Sequence, residues 1–320
     1  MAINSRKGFF YTTTALIFII VIITVFYTFE VYKYNYIDDS IEKRVTTMDD
    51  FIDSISADAE RAAYISAFRT LIVLDEYVSE TGLFLDNTEE TFKEAFYNGT
   101  IGDTTPLLLE NSSFSLYVDK VNQKSNDFDI FMNLTVTQID LSHSTPWTIR
   151  VDIHSNVIIV DLKGLASWNF NETFTTEIPI DNLNNPLYTV NTLGKVKSFI
   201  VRTNITDFVD DSNDTTNLMD HIIASYYKPS NKSPSYLMRF ENNLSSNEFG
   251  IENLVDLELM AQQDGVDVFY NMSIVDYIYF GQQTEDDKCD ILNMPSWFRI
   301  DEAHLEDYEI NQLSYNNCTT

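Results

Sequence analysis

Glycine and proline are both scarce in this sequence, with nine glycines and seven prolines in 320 residues. Phosphate-binding loops, dinucleotide-binding turns and nucleophile elbows need closely spaced glycines, and none of the patterns G-x-x-x-x-G-K-[ST], G-x-G-x-x-G or G-x-S-x-G occurs. The sequence therefore argues against nucleotide-binding and serine-hydrolase classes. We expect no catalysis, no metal site and no cofactor.

Histidine is also rare, and the four histidines have no metal-ligand spacing such as H-E-x-x-H. We predict that they lie at the surface or at sheet edges: His143, His154, His221 and His304. The acidic segment Asp207–Asp214 has enough oxygen ligands for Ca²⁺, but it lacks the glycine and the terminal glutamate of an EF-hand loop. We interpret it as a solvated acidic loop.

Two further binding chemistries remain open. The 49 acidic residues do not exclude a two-carboxylate glycosidase site, although the sequence singles out no pair. Trp147, Trp168 and Trp297 could form a sugar-binding platform, but we interpret them as core residues.

Positive charge is in short supply. Twenty Lys and Arg face 49 Asp and Glu, which gives a formal net charge of −29. Arg6, Lys7 and Glu30 leave the first thirty residues at +1, so the remainder carries −30. A head this acidic repels nucleic acid and anionic lipid surfaces, and we expect no nucleic-acid partner.

Cysteine is limited to Cys289 and Cys318, both near the C-terminus. In a reducing compartment they would be two unrelated thiols. In an exported protein they predict a disulfide that closes a loop in the tail.

One long run contains no charged residue, proline or glycine: residues 9–29, FFYTTTALIFIIVIITVFYTF. Its 21 residues match the roughly 20 that span a bilayer. Arg6 and Lys7 precede it, so the positive-inside rule predicts a cytoplasmic N-terminus and an extracellular head. The alternative is a cleaved secretory signal, but the apolar stretch exceeds the usual length and no small-x-small site follows it.

The leader residues Lys7 and Gly8, followed directly by Phe9 and an apolar run, resemble the class III signal of type IV prepilins, including archaeal ones. The resemblance implies that a prepilin peptidase cuts between Gly8 and Phe9 and leaves the hydrophobic helix on the mature protein. Thr13 stands where bacterial pilins have a glutamate, which weakens the bacterial version more than the archaeal one.

Three phrases in the C-terminal part resemble uncharacterised archaeal membrane-anchored proteins that begin with a Lys-Gly-Phe-Phe leader. They are 235–241, 249–255 and 273–280. This resemblance implies an archaeal surface protein and no particular activity.

A second helical segment follows the apolar run. Apolar residues alternate at spacings of four and three from Ile41 to Ala62, and from Ala63 to Val78 the pattern is apolar nearly all round. Gly82 suits a helix C-cap. We predict a stalk helix over 30–82 that packs into the head, either continuous with the apolar run or broken near Asn35–Asp39.

Beyond residue 112 the sequence is rich in period-two alternation. We expect strands near 128–136, 147–153 and 157–162, and another over 168–180 with an irregularity near Glu172. A short helix is expected over 219–227, stopped by Pro229. The predicted fold class is α+β: a long N-terminal transmembrane and stalk helix followed by a mainly antiparallel β head with short helices, with a β-sandwich as one arrangement.

The predicted organisation has six segments. They are a cytoplasmic leader (1–8), a transmembrane helix (9–29), the stalk (30–82), a β-rich head (83–227), a linker (228–235) and a C-terminal α/β extension of the head (236–320).

Ten Asn-x-Ser/Thr sequons lie on the head side of the apolar run, and we expect some of them to be N-glycosylated. They are Asn98, Asn111, Asn133, Asn171, Asn204, Asn213, Asn231, Asn243, Asn271 and Asn317.

Three functional hypotheses follow. The first is a single-pass, pilin-like structural or adhesive surface protein, whose partners are the bilayer, prepilin peptidase, and other copies or other pilins. The second is a membrane-tethered binding module with a β-sandwich head that recognises a surface partner or glycan. The third is a tethered extracellular hydrolase.

Overall fold

The computed structural model of the chain describes residues 4–210, 212–283, 287–311 and 315–319, with the backbone alone at 4–8, 34–40, 316, 317 and 319. The helices are α1 (Asn4–Thr81), α2 (Thr88–Asn98), α3 (Phe114–Lys124), α4 (Pro186–Asn191), α5 (Thr216–Ile223), α6 (Tyr236–Arg239), α7 (Leu257–Ala261) and α8 (Asp276–Gly281). The strands are β1 (Ile130–Thr145), β2 (Thr148–Asp161), β3 (Ser167–Pro179), β4 (Val201–Arg202), β5 (Tyr226–Pro229), β6 (Ile251–Asn253), β7 (Lys288–Ile291), β8 (Arg299–Asp301) and β9 (Tyr315–Thr319). Short 3₁₀ segments occupy Ser125–Phe128, Glu302–His304 and Glu306–Tyr308.

Helix α1 runs without a break through 78 residues, a length of about 117 Å at 1.5 Å per residue. No proline lies within it, and no glycine lies between Gly8 and Gly82, so the intrahelical hydrogen bonds continue across 35–39. The helix ends at Thr81 because Gly82 adopts a φ of 64° and donates its N–H to the Val78 carbonyl.

The two ends of α1 have different surroundings. The 25 residues Phe9–Lys33 are long and apolar enough to cross a membrane, and the structure buries none of that stretch. Further along, Met48, Ala59 and Leu71 are fully buried in the first hydrophobic core. One helix therefore supplies both an uncovered apolar segment, Phe9–Lys33, which we call the apolar rod, and a central element of the head.

The first sheet is an antiparallel meander in the order β1-β2-β3. Its inward positions, such as Ile149, Val151 and Ile153, pack against α1, α2 and α3. Together with the helical N-terminus, this confirms the α+β class with mainly antiparallel sheets. The sandwich expectation was wrong, because helices rather than a second sheet cover this face.

The strand boundaries differ from the expectation in two places. The segments expected separately at 147–153 and 157–162 are one central strand, β2, because its odd-numbered residues keep facing inward through Ser155. The expected irregularity near Glu172 is absent, since β2 and β3 pair without a register shift. Glu172 points inward and accepts a hydrogen bond from Ser56 Oγ at 2.7 Å. The bulge lies instead in β1, between Val136 and Gln138.

A second hydrophobic core lies in the C-terminal half and includes the sheet β8-β7-β9. The small sheet β4-β5-β6 instead contributes Tyr227 and Ile251 to the first core. The helix expected to reach residue 227 ends at Ile223, and Tyr226–Pro229 forms strand β5. Residues 228–235, expected to be a linker, are packed into the head. Lys228 and Pro229 pair with β6, and Ser233 and Ser235 are buried.

Candidate functional site

The first candidate site is the leader and the apolar start of α1. Lys7 and Gly8 lie on the helical backbone of α1, and their side chains fall outside the described residues. Phe9 begins the exposed apolar surface. The proposed cut between Gly8 and Phe9 therefore falls where the apolar rod starts.

The second candidate feature is the cysteine pair. Cys289 on β7 and Cys318 on β9 stand opposite each other in the register of the third sheet, with Cα atoms 4.0 Å apart, and they form a disulfide. The bond ties the C-terminal strand to the second core, in which Cys289 is fully buried.

The sequon asparagines lie mostly at the surface of the head. Asn213 is half-buried, and the side chain of Asn317 lies outside the described residues. The exposed ones are Asn98, Asn111, Asn133, Asn171, Asn204, Asn231, Asn243 and Asn271. Asn133, on β1, points away from the core, as modification would require.

A buried ion network, which sequence reasoning missed, lies in the C-terminal half. We define it as Arg239, Glu252, Asp276, Asp301, His304 and Lys228. Its first part is an ion pair between Arg239 Nη1 and Asp276 Oδ2 at 2.5 Å, with both side chains fully buried. Arg239 Nη2 also donates to the Ile251 carbonyl. Burial raises the pKa of the Asp276 carboxyl, while Arg239 acts to lower it.

Neutral polar groups complete this first part. Asn185 Nδ2 donates to Asp276 Oδ2 and to the Tyr227 hydroxyl, both at 3.0 Å. The Tyr227 hydroxyl also lies 2.6 Å from Ser198 Oγ. Buried charges are costly unless they are paired and hydrogen-bonded, and this arrangement supplies both conditions.

The second part of the network centres on His304. Its Nδ1 lies 2.6 Å from Asp301 Oδ1, and its Nε2 lies 3.6 Å from Glu252 Oε2 and 3.1 Å from the Tyr277 hydroxyl. Burial acts to lower the pKa of His304, but the hydrogen bonds and charges of Asp301 and Glu252 outweigh it and raise the pKa to about 9. His304 is therefore a cation at neutral pH.

Glu252, His304 and Asp307 place ligand atoms within 4.8 Å of one another, so we tested this group as a metal site. Neither Glu252 oxygen accepts a well-formed hydrogen bond, which would suit a cation. A cation already lies near Glu252, however. The Lys228 ammonium donates to the Asp307 carbonyl; burial lowers the pKa of Lys228, and the charge of Glu252 acts to raise it. Three cations balance three carboxylates in the network, and Lys232 pairs with the fourth carboxylate, Asp307, at 2.6 Å. The charges of this group therefore leave no need for a metal ion.

The residues of the network do not line the five surface depressions described next. Five depressions on the described surface have volumes of about 190 to 760 Å³, and none is lined by a residue of the network. The largest of these is lined by Glu302, Leu305, Glu306, Glu309, Ile310, Asn311 and Tyr315. The converging charges hold β5, β6, α6, α8 and β8 together, and within the described residues they line none of these five depressions.

The structure disperses the other predicted groups. His221 and His304 are buried, so the prediction of surface or edge positions was wrong for both. Trp147 and Trp168 lie near opposite ends of the first sheet, and Trp297 belongs to the second core, so they share no platform. The loop from Asp207 closes on itself, since Asp210 Oδ1 accepts from the Ser212 and Asp214 amides.

The missed network left a local signal in the sequence. Asp276 is the only charged residue between Gly265 and Glu285 apart from Asp267, and it lies between Val275 and Tyr277. An isolated charge in an apolar run indicates a buried, paired group. The sequence could not name the partner, because Arg239 lies 37 residues earlier in the chain.

No protein-family model, curated protein or solved structure matches this chain.

Proposed function

We propose that this chain is a single-pass membrane protein with a cytoplasmic N-terminus and an extracellular head, which serves a pilin-like structural or adhesive role without catalysis. The observation that carries the proposal is the uncovered apolar rod, Phe9–Lys33, continuous with the helix on which the head is built. This arrangement resembles the pilin plan, in which one N-terminal helix serves the membrane first and the head second.

The energetics of the rod support a covering by lipid or by other copies. More than a dozen large apolar side chains between Phe9 and Val31 are more than 40% exposed. Burial of each would contribute roughly 1.5–3 kcal/mol, so the set represents a few tens of kcal/mol. That exceeds the roughly 5–15 kcal/mol by which a typical domain is stable, so water is a poor environment for this segment.

Three features support an outward orientation of the head. Arg6 and Lys7 precede the rod, which favours a cytoplasmic N-terminus. The Cys289–Cys318 disulfide is typical of oxidising compartments. Eight of the sequon asparagines are exposed on the head, where a glycosylation enzyme would reach them.

The anchoring test uses membrane fractions washed at alkaline pH. We expect the chain to stay with the lipid, and an Ile19→Asp/Ile22→Asp variant to be released, because a central aspartate costs about 2.5–3.5 kcal/mol. A Leu107→Asp/Ile223→Asp variant is the matched control, since the side chains of Leu107 and Ile223 are both exposed on the head. Release of the unmodified chain, or protection of the head from protease added outside cells, contradicts the proposal.

The pilin-like part of the proposal is tested by mass spectrometry of the mature N-terminus. We expect a chain that begins at Phe9, and a Gly8→Val variant that keeps its leader. Ala2→Val is the control and should be processed normally. An intact N-terminus on the unmodified chain rejects leader processing.

Filament assembly separates the structural role from a tethered binding module. A pilin-like subunit appears among the proteins of sheared surface filaments, whereas a binding module stays in the membrane fraction. A role without catalysis is supported by the network, because its carboxylates Asp276 and Asp301 are buried and paired with cations.

A further inference from the structure

Three exposed apolar side chains gather at the end of the head nearest the apolar rod. We call Phe131, Leu162 and Leu165 the basal patch. All three are more than 40% exposed. They come from the start of β1 and from the hairpin between β2 and β3.

Arg44 fixes the position of this patch along α1. Its Nε bonds Asp161 Oδ1 at 2.8 Å, and its Nη2 donates to the carbonyls of Phe128 and Asp129. Lys33 ends the apolar rod eleven residues earlier, so the base of the head begins about 17 Å along the helix from the rod.

Strand β2 points its last residues toward the rod. Ser56 on α1 donates a hydrogen bond to Glu172 on β3, and Glu172 pairs with Ser155 on β2. Twelve residues nearer the rod, Arg44 on α1 forms an ion pair with Asp161 at the end of β2. From Ser155 to Asp161 the strand therefore descends alongside α1, and the hairpin after Asp161 extends beyond Arg44 toward the rod. Asp161 Oδ2 accepts the amides of Lys163 and Leu165, which fixes the hairpin in shape.

The solvent face of the first sheet changes character along this descent. At its far end it carries Arg150, Asp152 and His154, which are polar and paired with one another or with neighbours. At the near end it carries Ile158 and Val160, and Phe131 lies opposite Val160. This face of β2 points away from the core, so packing of the core does not require apolar residues on it. Their restriction to the end nearest the rod therefore indicates a contact outside the head.

The length of the rod supplies the reason for contact with lipid. Its 25 residues extend about 37 Å, whereas the hydrocarbon core of a bilayer is about 30 Å thick. A helix longer than the core accommodates the excess by tilting. An upright helix would hold the patch roughly 10 Å above the headgroups, and a tilt of about 25° toward the patch brings it to the headgroup layer.

We propose that the basal patch docks on the outer surface of the bilayer and so sets the direction in which α1 tilts. This inference rests on the proposed membrane anchoring. Apolar contact drives the docking, since the net charge of the head opposes approach to anionic lipid. Docking is therefore strongest on neutral phosphatidylcholine and weakens as anionic lipid is added.

The test uses the full chain in phosphatidylcholine nanodiscs, with a fluorophore on a single new cysteine, Leu162→Cys or Leu165→Cys. The native cysteines are joined and do not react. The matched control is Leu107→Cys, which replaces a leucine that is 85% exposed. Ser66 contacts Ser112 close to this leucine, and Ser66 lies about 33 Å farther along α1 than Arg44. Ile20→Cys, within the rod, reports insertion.

Lipids that carry a quencher at the headgroup should remove most of the fluorescence at 162 and 165 and leave that at 107 unchanged. Equal quenching at 162 and 107 overturns the docking. If the label at position 20 is quenched by chain-labelled lipid while those at 162 and 165 are not, anchoring stands and docking fails. If no position is quenched, anchoring itself fails. Spin labels at 162 that broaden one another across copies, without lipid quenching, assign the patch to a second copy and also overturn the proposal.

Discussion

Replacement of His304 by glutamine should destabilise the head by an amount that depends on pH. His304 is a buried cation between Asp301, at 2.6 Å, and Glu252, at 3.6 Å. Other groups that face this cluster include Lys228, Asp307, Tyr277, Tyr308 and Ser273. Glutamine can keep one hydrogen bond, but it cannot supply the positive charge.

The sign and size of the effect follow from the pKa of His304. It is raised to about 9, so the folded state holds a proton that the unfolded chain releases near pH 6.5. The stabilisation from this proton is fully present below about pH 6.5 and is lost as pH rises through 9. A shift of this size corresponds to about 3 kcal/mol, since one pKa unit is worth 1.36 kcal/mol.

The assay is chemical denaturation of the full chain in detergent micelles at about pH 6, 7.5 and 9.5. The difference in free energy of unfolding between the unmodified chain and the His304→Gln variant should fall by about 3 kcal/mol across this range. His154→Gln is the control, because His154 is 42% exposed on the sheet, and it should change stability by less than about 0.5 kcal/mol. A difference that is constant with pH, or that grows toward alkaline pH, refutes the reasoning.

Three further predictions concern the rest of the chain. The double substitution Cys289→Ser/Cys318→Ser removes a disulfide that joins residues 29 positions apart. It should lower the free energy of unfolding by about 3 to 4 kcal/mol. A reductant should then affect only the unmodified chain in a denaturant titration. Leu71→Ala, in the first core, should cost about 2–5 kcal/mol by thermal unfolding, and a cost below about 1 kcal/mol would contradict the burial of α1. Arg44→Ala should cost about 1–3 kcal/mol and speed amide exchange at the base of the head. Arg61→Ala is the control, because Arg61 is exposed and lies 3.9 Å from the exposed Asp58. It should change the free energy of unfolding by less than about 0.5 kcal/mol and leave amide exchange unchanged.

Local patterns predicted the parts of the fold that local physics determines. An uncharged run of 21 residues, a narrow apolar seam and a terminal glycine predicted the two helical parts of α1 and its end near Gly82. They left open whether the helix is broken near Asn35–Asp39. Alternation predicted the inward faces of the first sheet, because strand side chains alternate with a period of two. The α+β class followed from these two signals.

Tertiary pairing decided what the sequence left open. Glu172 looked like an interruption in an apolar face, but Ser56 on α1 gives the carboxylate a partner, so the strand stays regular. The prolines around 228–235 suggested a linker, yet β6 pairs with Pro229 and Ser233 is fully buried. Neither partner is close in sequence.

The ion network shows the same limit more strongly. Its charged members come from β5, α6, β6, α8, β8 and a 3₁₀ segment, so no spacing within one element reveals it. What a sequence can show is the anomaly of a lone charge such as Asp276 among apolar residues. The choice of Arg239 as its partner depends on the tertiary packing that fully buries both side chains.

The unbroken course of α1 has a mechanical consequence. The backbone stays helical from the rod into the head. The direction in which the head faces about the helix axis is therefore fixed relative to the rod. One residue inserted between Lys33 and Ile41 would rotate the head by about 100° about the helix axis and raise it by only 1.5 Å. Seven inserted residues would add about 10 Å of height and nearly restore the original facing. A series of insertions would therefore separate dependence on height from dependence on facing, since only the latter recurs with the helical period.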